Sequence, residues 1–351
     1  MNIGIIGCGH IANAHLKVYE NMKNVNIVGV CDLNLELAKD TARKFRLKNV
    51  FRDYNDLFEV KDLDLVDICT PISTHGRIVC DAAKEVSAVL VEKPMALSVS
   101  ECDEIIRTVK KHASKLCVIH QQIFLPAIER AKFLVDNGTY DLLSFKTSQK
   151  ESFDVLKAAK LAADWMVAPE QNGILWEVCS HLAYLQLHFL PYIREVHAVG
   201  TKAKYPVFDH FAVLLKTASH RFGLIELTWM SKETEIVYEI TEAGGKRAQI
   251  YRNLGYFLEN NAPYATYSVG GVLRAFLTDE KRVLQKWATF GRNYMRRSKL
   301  FPHFKLISSY LESIEKDLPP PVTPEDGRKT IQLLECIKKS LDEQRPVTVP
   351  N

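Results

Sequence analysis

Short apolar runs alternate with longer, helix-like segments over the first 120 residues of the chain. The runs are NIGII from residue 2, NIVGVC from 26, LVDIC from 65, AVLVE from 88 and LCVIH from 116. Their Val-, Ile- and Leu-rich composition is typical of strands that are covered on both sides. The alternation therefore predicts a parallel sheet with helices packed on its faces.

Beyond about residue 120, strand-like runs follow one another with fewer helical segments between them. They lie near 142–148, 195–202, 207–217, 221–230, 235–242 and 247–251. Gly244 and Gly245, between the last two runs, predict a two-residue hairpin turn. We therefore expect an α/β protein of two domains: a doubly wound parallel sheet over 1–122, and an α+β domain with a large, mostly antiparallel sheet over 123–351.

One apolar segment, ILWEVCSHLAYLQLH at residues 174–188, carries four polar side chains at helical spacing. At about 100° per residue, Glu177, His181, Tyr184 and His188 fall on one narrow face of a helix. An acid and a histidine on a helix that is otherwise apolar indicate either a paired group in the core or a catalytic face beside a cavity. The segment alone leaves both interpretations open.

The composition is that of an ordinary globular protein, with 351 residues, 47% hydrophobic and 25% charged, and a net charge of +4. The length fits two domains, and the small charge gives no support for a nucleic-acid partner. Eight cysteines are scattered without a CxxC pair, and no run of about 18 apolar residues is present. We therefore expect a cytoplasmic protein with reduced thiols and no membrane contact. No spacing of His, Cys, Asp or Glu predicts a metal site.

A glycine-rich turn follows the first strand, where residues 7–12 read GCGHIA. Its glycines allow a tight turn and let the backbone approach a pyrophosphate, whose charge then lies at a helix N-terminus. Asp32 ends the next strand, 20 residues beyond Ala12, where a carboxylate binds an adenosine ribose. The same charge would repel the additional phosphate of NADP. The turn therefore predicts a Rossmann domain that binds NAD rather than NADP.

The polar residues that end the apolar runs should lie together, because ligands bind outside the carboxyl ends of parallel strands. These residues are Gly7, Asp32, Thr70-Pro71, Glu92-Lys93 and His120-Gln121-Gln122. Lys93 directly follows an apolar strand and precedes Pro94, so we interpret it as a candidate cation of the site rather than a solvated surface lysine.

The motifs together resemble the glucose-fructose oxidoreductase and inositol dehydrogenase (Gfo/Idh/MocA) family. The likeness rests on GCGHIA at the start, CTPISTH at 69–75, VEKP at 91–94 and the ExxxH of 177–181, and it spans nearly the whole chain. It implies an N-terminal domain that binds nicotinamide cofactor. It also implies a C-terminal domain that supplies substrate contacts and an oligomer interface, in a homodimer or homotetramer.

The resemblance implies a role for each candidate residue. The cofactor contacts would be Gly7, Gly9, His10 and Ile11 at the pyrophosphate, Asp32 at the adenosine ribose, and Thr70, Pro71, His75, Glu92 and Gln121 at the nicotinamide half. Lys93 would bridge the nicotinamide ribose and the substrate hydroxyl, and His181 would be the acid/base. Glu177 and Tyr184 each stand where the family usually has an aspartate, and Glu177 would orient His181 or bind a neighbouring hydroxyl.

The expected function is hydride transfer between NAD and a secondary hydroxyl or ketone of a sugar, cyclitol or nucleotide-sugar. Histidine titrates near neutrality, as a base that removes the hydroxyl proton should, and Lys93 would stabilise the developing alkoxide. Two alternatives stay open: a cofactor-binding regulator without turnover, and a reductase of a non-sugar substrate. A basic stretch at 281–299, within an insertion at about 252–305, predicts either a solvated helix at an oligomer contact or a site for a phosphate, a nucleotide-sugar or acidic lipid.

Overall fold

The chain divides into two units in the computed structural model, which describes residues 1–159, 162–171, 173–245, 247–252, 256–260 and 301–350. The first unit holds Met1–Gln121 and Leu300–Glu335, and the second holds Gln122–Lys299 and Cys336–Asn351. The expected boundary after residue 122 is one residue from the observed one, whereas residues 300–335 return to the first unit. The basic stretch 281–299 lies outside the described residues. Within the described residues, no helix combines the length and apolar character that a membrane span requires.

The first unit is built on a six-stranded sheet in the order β3-β2-β1-β4-β5-β6, and each neighbouring pair of strands is parallel. Its strands are β1 (Asn2–Ile6), β2 (Asn26–Cys31), β3 (Val50–Phe51), β4 (Leu65–Ile68), β5 (Ala88–Val91) and β6 (Lys115–Val118). Its helices are α1 (His10–Tyr19), α2 (Leu35–Phe45), α3 (Tyr54–Phe58), α4 (His75–Glu85), α5 (Val99–Lys111), α10 (Phe301–Glu315) and the first part of α11 (Pro324–Glu343). Every residue of β4 and β5 is buried. The predicted doubly wound parallel sheet is confirmed.

The returning segment 300–335 is held to the first unit by buried polar contacts. The fully buried Tyr310 hydroxyl of α10 lies 2.9 Å from the carbonyl oxygen of Val89 and 2.7 Å from that of Lys115, between strands β5 and β6. Val118 donates its backbone N–H to the carbonyl of Val322 at 3.3 Å. An amphipathic pattern shows that a helix has a buried face but not which surface covers it, so this return was not predictable from the sequence.

The second unit is built on an eight-stranded sheet in the order β13-β12-β11-β7-β10-β9-β8-β14. Its strands are β7 (Leu142–Ser152), β8 (Ile193–Thr201), β9 (His210–Thr217), β10 (Phe222–Thr228), β11 (Met230–Glu242), β12 (Arg247–Tyr251), β13 (Tyr256–Asn260) and β14 (Val347–Thr348). Only the β7–β10 pair is parallel among these described strands. The expected mostly antiparallel sheet is confirmed. The predicted hairpin joins β11 and β12, but the first paired residues are Thr241 and Arg247, so its connection is longer than two residues.

The helices of the second unit include the segment with the polar face. They are α6 (Pro126–Asp136), α7 (Phe153–Ala158), α8 (Ile174–Glu177), α9 (Cys179–Phe189) and the end of α11. The single helix expected over 174–188 is wrong in one respect, because it is interrupted at Val178 between α8 and α9. Helix α9 packs on the sheet through the buried Gln186, whose Nε2 donates to the carbonyls of Phe145 at 3.1 Å and Leu224 at 2.9 Å.

Candidate active site

The predicted cofactor residues of the first unit lie at the carboxyl ends of its parallel strands. Backbone hydrogen bonds continue past the strand ends: Gly7 donates to the Cys31 carbonyl at 2.8 Å, and Glu92 donates to the Ile68 carbonyl at 3.0 Å. Because all six strands run the same way, the turns that follow them leave the sheet at one edge. The structure thus brings together, within this unit, Gly7, Gly9, His10, Ile11, Asp32, Thr70, Pro71, Glu92, Lys93 and Gln121.

The turn between β1 and α1 is tight, open on one side and without a side-chain cap. Gly7 has φ of +93°, and a Cβ there would lie 2.7 Å from the backbone carbonyl carbon and oxygen of Cys69, so only glycine fits. A Cβ on Gly9 would meet nothing within 4 Å, so the side of the turn on which that Cβ would lie is open to a ligand. Helix α1 has no side-chain cap, whereas Asn34 and Ser98 cap α2 and α5. The uncapped N–H groups at the start of α1 therefore suit an anion.

Asp32 is held at the end of β2 by two backbone groups. Its Oδ2 accepts a hydrogen bond from the Cys8 N–H at 2.8 Å, and its Oδ1 accepts one from the Asn34 N–H at 2.8 Å. Each carboxylate oxygen has a second lone pair, so the fixed carboxylate retains the capacity to accept ribose hydroxyls. Burial, together with the Asp32 charge, raises the pKa of the Cys8 thiol to about 12, so this thiol is neutral beside the turn.

The turn after β5 carries Lys93 and is connected to the turn after β4. The ring of His75 is buried, with Nδ1 2.8 Å from the Pro94 carbonyl oxygen and Nε2 2.8 Å from the Thr70 carbonyl oxygen. The Lys93–Pro94 peptide bond is cis. Lys93 itself is partly exposed, and its backbone N–H donates to Oε2 of Glu92 at 3.1 Å. His75 thus supports the backbone on both sides of the site.

A cluster of buried polar side chains lies directly behind this turn, and the sequence analysis missed it. We call it the His15 cluster; its members are His15, Tyr19, Asp67, Cys69 and Glu92, all at most 6% exposed. The Nδ1 atom of His15 lies 2.8 Å from Asp67 Oδ2, which also accepts from the Tyr19 hydroxyl at 2.8 Å. The Nε2 atom of His15 lies 3.1 Å from Glu92 Oε1. Asp67, an acid within a strand covered on both faces, was the one sequence signal that could have revealed it.

The charges of the His15 cluster depend on one another. Burial by itself would lower the pKa of His15, but the adjacent Asp67 carboxylate more than offsets this and holds that pKa well above its usual value. Burial would likewise raise the pKa of Glu92, yet the neighbouring His15 keeps it below the ordinary carboxyl range. The interior of the first unit therefore holds a protonated imidazole, His15, beside an ionised carboxylate, Glu92.

The second unit contains the predicted acid/base and its neighbours on α8 and α9. The ring Nδ1 of His181 lies 2.9 Å from the hydroxyl oxygen of Tyr184, which also accepts the backbone N–H of Gln122 at 3.1 Å. The side-chain oxygen of Gln122 in turn accepts the Tyr238 hydroxyl at 2.5 Å. Tyr184 and Gln122 are buried, whereas His181 and Glu177 are partly exposed. The sequence placed Tyr184 on this face but assigned it no role, and it identified Gln122 only as one of the residues that end a strand.

The three predicted catalytic residues do not all belong to one unit. Lys93 lies in the first unit, and His181 and Glu177 lie in the second. The meeting of these side chains at one substrate therefore stays a prediction. The structure shows a backbone turn that holds Lys93 in the first unit. It also shows a contact with the Tyr184 hydroxyl that holds the His181 ring in the second unit.

Comparisons with known proteins identify both halves of the chain. Residues 1–120 match a family model described as the oxidoreductase family with an NAD-binding Rossmann fold, and residues 129–251 match the GFO/IDH/MocA C-terminal domain. Among curated relatives, myo-inositol 2-dehydrogenase of Thermotoga maritima is 22% identical over 99% of this chain and 98% of its own. D-apiose dehydrogenase of Paraburkholderia graminis is 26% identical over 73% of this chain and 68% of its own.

A solved structure shows the same fold over the whole chain. The WlbA dehydrogenase of Bordetella pertussis, crystallised with NADH and UDP-GlcNAcA, has a TM-score of 0.82 at 17% identity and covers 100% of this chain and 98% of its own. The first 120 residues thus form the NAD-binding Rossmann domain of an oxidoreductase, which confirms the predicted cofactor. The two family models together match well over half of the sequence, and the chain therefore belongs to the Gfo/Idh/MocA oxidoreductase family.

Proposed function

We propose that the protein is an NAD-dependent dehydrogenase that interconverts a secondary hydroxyl and a ketone on a sugar, cyclitol or nucleotide-sugar. The observation that carries this proposal is the His181–Tyr184 pair. Helix α9 is apolar and buried over most of its length, yet it presents a partly exposed imidazole whose Nδ1 is held at 2.9 Å by a buried hydroxyl. A partly exposed imidazole that is fixed in this way is suited to proton transfer near neutral pH.

The side chains divide the chemistry of alcohol oxidation between them. The bound nicotinamide supplies the acceptor for the hydride that leaves the substrate carbon. His181 takes the proton of the substrate hydroxyl, and it returns that proton when the reaction runs towards the alcohol. The Lys93 ammonium donates to the same substrate oxygen and stabilises its developing negative charge. Glu177, one turn before His181, accepts a hydrogen bond from a neighbouring substrate hydroxyl or orients the imidazole.

The first unit would hold the cofactor through its strand-end turns. Gly7, Gly9, His10 and Ile11 would contact the pyrophosphate, and Asp32 would accept both hydroxyls of the adenosine ribose, which favours NAD over NADP. The nicotinamide half would lie against Thr70, Pro71, His75, Glu92 and Gln121. Because His75 and Glu92 are almost wholly buried, they would act on the cofactor mainly through the backbone they support.

The proposed substrate class rests on the names of the relatives and on the carboxylate of Glu177 at the end of α8. The relatives are named for inositol and apiose, and the solved structure holds a UDP-sugar. All three are rich in hydroxyl groups that an acid beside the histidine would bind. A non-catalytic regulator would have no need for Lys93 and His181, and we therefore propose the enzyme.

Single substitutions at Lys93 and His181 test this proposal. Lys93→Met and His181→Asn should each lower kcat by roughly 10²–10⁴-fold, as the loss of a positioned acid/base or charge does, while the Kd for NADH stays within about threefold of wild type. His188→Asn, on the same helix but outside the assigned site, is the matched control and should retain turnover. Rates would be followed at the reduced nicotinamide absorbance band with a panel of polyols, cyclitols and nucleotide-sugars. Unchanged turnover in both variants would refute the assigned roles.

A further inference from the structure

Three potential metal ligands from distant parts of the sequence converge inside the first unit. They are a ring nitrogen of His15, a carboxylate oxygen of Glu92 and a ring nitrogen of His303, and these three atoms lie within 4.8 Å of one another. We propose that this His15–Glu92–His303 site binds one divalent transition-metal ion, and that the ion is Zn²⁺. Two imidazoles and a carboxylate are a ligand set that Zn²⁺ accepts, and three protein ligands leave a fourth tetrahedral position for water.

The contact between His15 and Glu92 has the spacing of two ligands on one ion rather than the alignment of a hydrogen bond. His15 Nε2 and Glu92 Oε1 are 3.1 Å apart and inaccessible to solvent, yet neither makes a hydrogen bond of acceptable angle within the described residues. Two atoms each bound to Zn²⁺ at about 2.0–2.1 Å, with a tetrahedral angle between them, lie about 3.3 Å apart. A contact this short that is not a hydrogen bond is the arrangement that two ligands of one ion produce.

The outer contacts of His15 are those of a metal-bound histidine. Its Nδ1 lies 2.8 Å from Asp67 Oδ2, and the Tyr19 hydroxyl donates to the same oxygen at 2.8 Å. A carboxylate on the second ring nitrogen fixes the tautomer and directs the other nitrogen towards the metal. His303, near the start of α10, completes the set, with its ring centroid 5.5 Å from that of His15. The ion would therefore link α1, the end of β5 and the returning helix α10.

The charge balance also fits a divalent cation. With neutral histidines, Asp67 and Glu92 contribute two negative charges to a buried volume, and an ion of charge +2 neutralises them. Because a histidine binds a metal ion in its neutral form, zinc binding should strengthen as the pH rises. Cys69 is not one of these ligands, because its Sγ lies 3.4 Å from Nδ1 of His15, the ring nitrogen that Asp67 holds.

Metal analysis of the full-length, untagged protein tests the proposal. Protein purified without chelators and dialysed against Zn²⁺ should retain one zinc per chain by elemental analysis, and native mass spectrometry should show the added mass. His303→Gln should lose the zinc, and Asp67→Asn should weaken its affinity by roughly 10–100-fold, the effect of losing an outer-shell carboxylate. His112→Gln, at an exposed histidine of the same unit, is the matched control and should bind zinc as wild type does.

Two further measurements keep the result decisive. Circular dichroism of each variant in the presence of chelator checks that the variant is folded. Wild-type protein loaded with Co²⁺ should show the visible absorption bands of a tetrahedral N/O site, and this measurement needs no substitution. Substoichiometric zinc in folded wild-type protein, with no Co²⁺ bands, would overturn the proposal and leave a protonated His15 as the occupant of the cluster. Equal zinc loss in the His112 and His303 variants would also overturn it, because it would indicate surface binding.

Discussion

The two glycines of the β1–α1 turn are expected to fail in different ways when each is replaced by alanine. At Gly9, φ is −70° and ψ is −165°, which alanine adopts without strain, and a methyl group would meet no atom within 4 Å. The weaker cap that alanine offers and the lower entropy of its unfolded state nearly cancel. Gly9→Ala should therefore change the free energy of unfolding by no more than about 0.5 kcal/mol. The methyl group occupies the side from which a pyrophosphate approaches, so the Kd for NADH should rise at least ~10-fold, or about 1.4 kcal/mol.

Gly7→Ala should instead destabilise the fold itself. Its φ of +93° costs an L-residue roughly 1–2 kcal/mol, and the new Cβ would lie 2.7 Å from backbone atoms of Cys69, which no rotamer change relieves. Moving packed backbone costs about 1–3 kcal/mol more. The expected loss is therefore about 2–5 kcal/mol in the free energy of unfolding, before any effect on cofactor binding.

Urea unfolding followed by tryptophan fluorescence would measure the stabilities, and fluorescence titration with NADH would measure the affinities. Both variants should be compared with wild type under conditions where each is fully folded. The reasoning would be refuted if Gly9→Ala bound NADH as tightly as wild type, or if Gly7→Ala were as stable as wild type. The first result would remove the pyrophosphate from this turn, and the second would contradict the backbone geometry.

Three other substitutions have defined expectations. Asp32→Ser removes the charge beside the ribose, so the ratio of the NADPH Kd to the NADH Kd should fall at least ~10-fold in direct titrations. Tyr184→Phe leaves the buried Gln122 N–H without its acceptor and removes the hydroxyl contact of His181 Nδ1. The free energy of unfolding should therefore fall by about 1–3 kcal/mol, and kcat should fall more than KM changes. Burial raises the pKa of Glu151, so Glu151→Gln should raise the thermal midpoint at neutral pH.

The gain in stability expected from Glu151→Gln should depend on pH in a definite direction. A carboxyl group whose folded-state pKa is raised contributes stability that is present below the unfolded pKa, about 4.3, and lost as the pH rises through the folded value. The advantage of Glu151→Gln should therefore shrink as the pH falls to about 4. An advantage that grew in acid would contradict the buried position of this side chain. For Tyr184→Phe, a loss of stability with unchanged kcat would confine the hydroxyl to a structural role.

The parallel sheet could be predicted because its causes are local. Five of its six strands are the predicted apolar runs, and every residue of β4 and β5 is buried. The glycine turn could be predicted for the same reason, since φ of +93° at Gly7 is a property of one residue and its immediate surroundings. The position of Asp32 could be predicted because this residue directly follows the apolar run of β2. Backbone geometry and strand direction were together sufficient to predict the β1–α1 turn and the strand-end position of Asp32, and the role of these residues in cofactor binding stays a prediction.

The features that were missed depend on contacts between distant segments. The break at Val178 removes a single residue from the helix, in a segment that is apolar on nearly every side. Helical periodicity does not detect such a change. Gln186 looks like any polar residue of α9, yet it is buried because three acceptors from two strands surround its amide nitrogen. The return of α10 to the first unit is set by Tyr310 and two carbonyls far away in the sequence.

Glu92 connects the hidden cluster to the proposed catalytic lysine. Its Oε1 lies 3.1 Å from His15, and its Oε2 accepts the backbone N–H of Lys93 at 3.1 Å. A carboxylate held from both sides has little freedom to rotate, so whatever occupies the His15 cluster, proton or metal ion, also fixes the peptide from which Lys93 extends. The side chain of Lys93 would reach the proposed site from a backbone that the buried Glu92 holds in position. A substitution of the buried His15 should therefore alter turnover more than cofactor affinity, since the residues proposed to bind the cofactor, the glycine turn and Asp32, follow other strands.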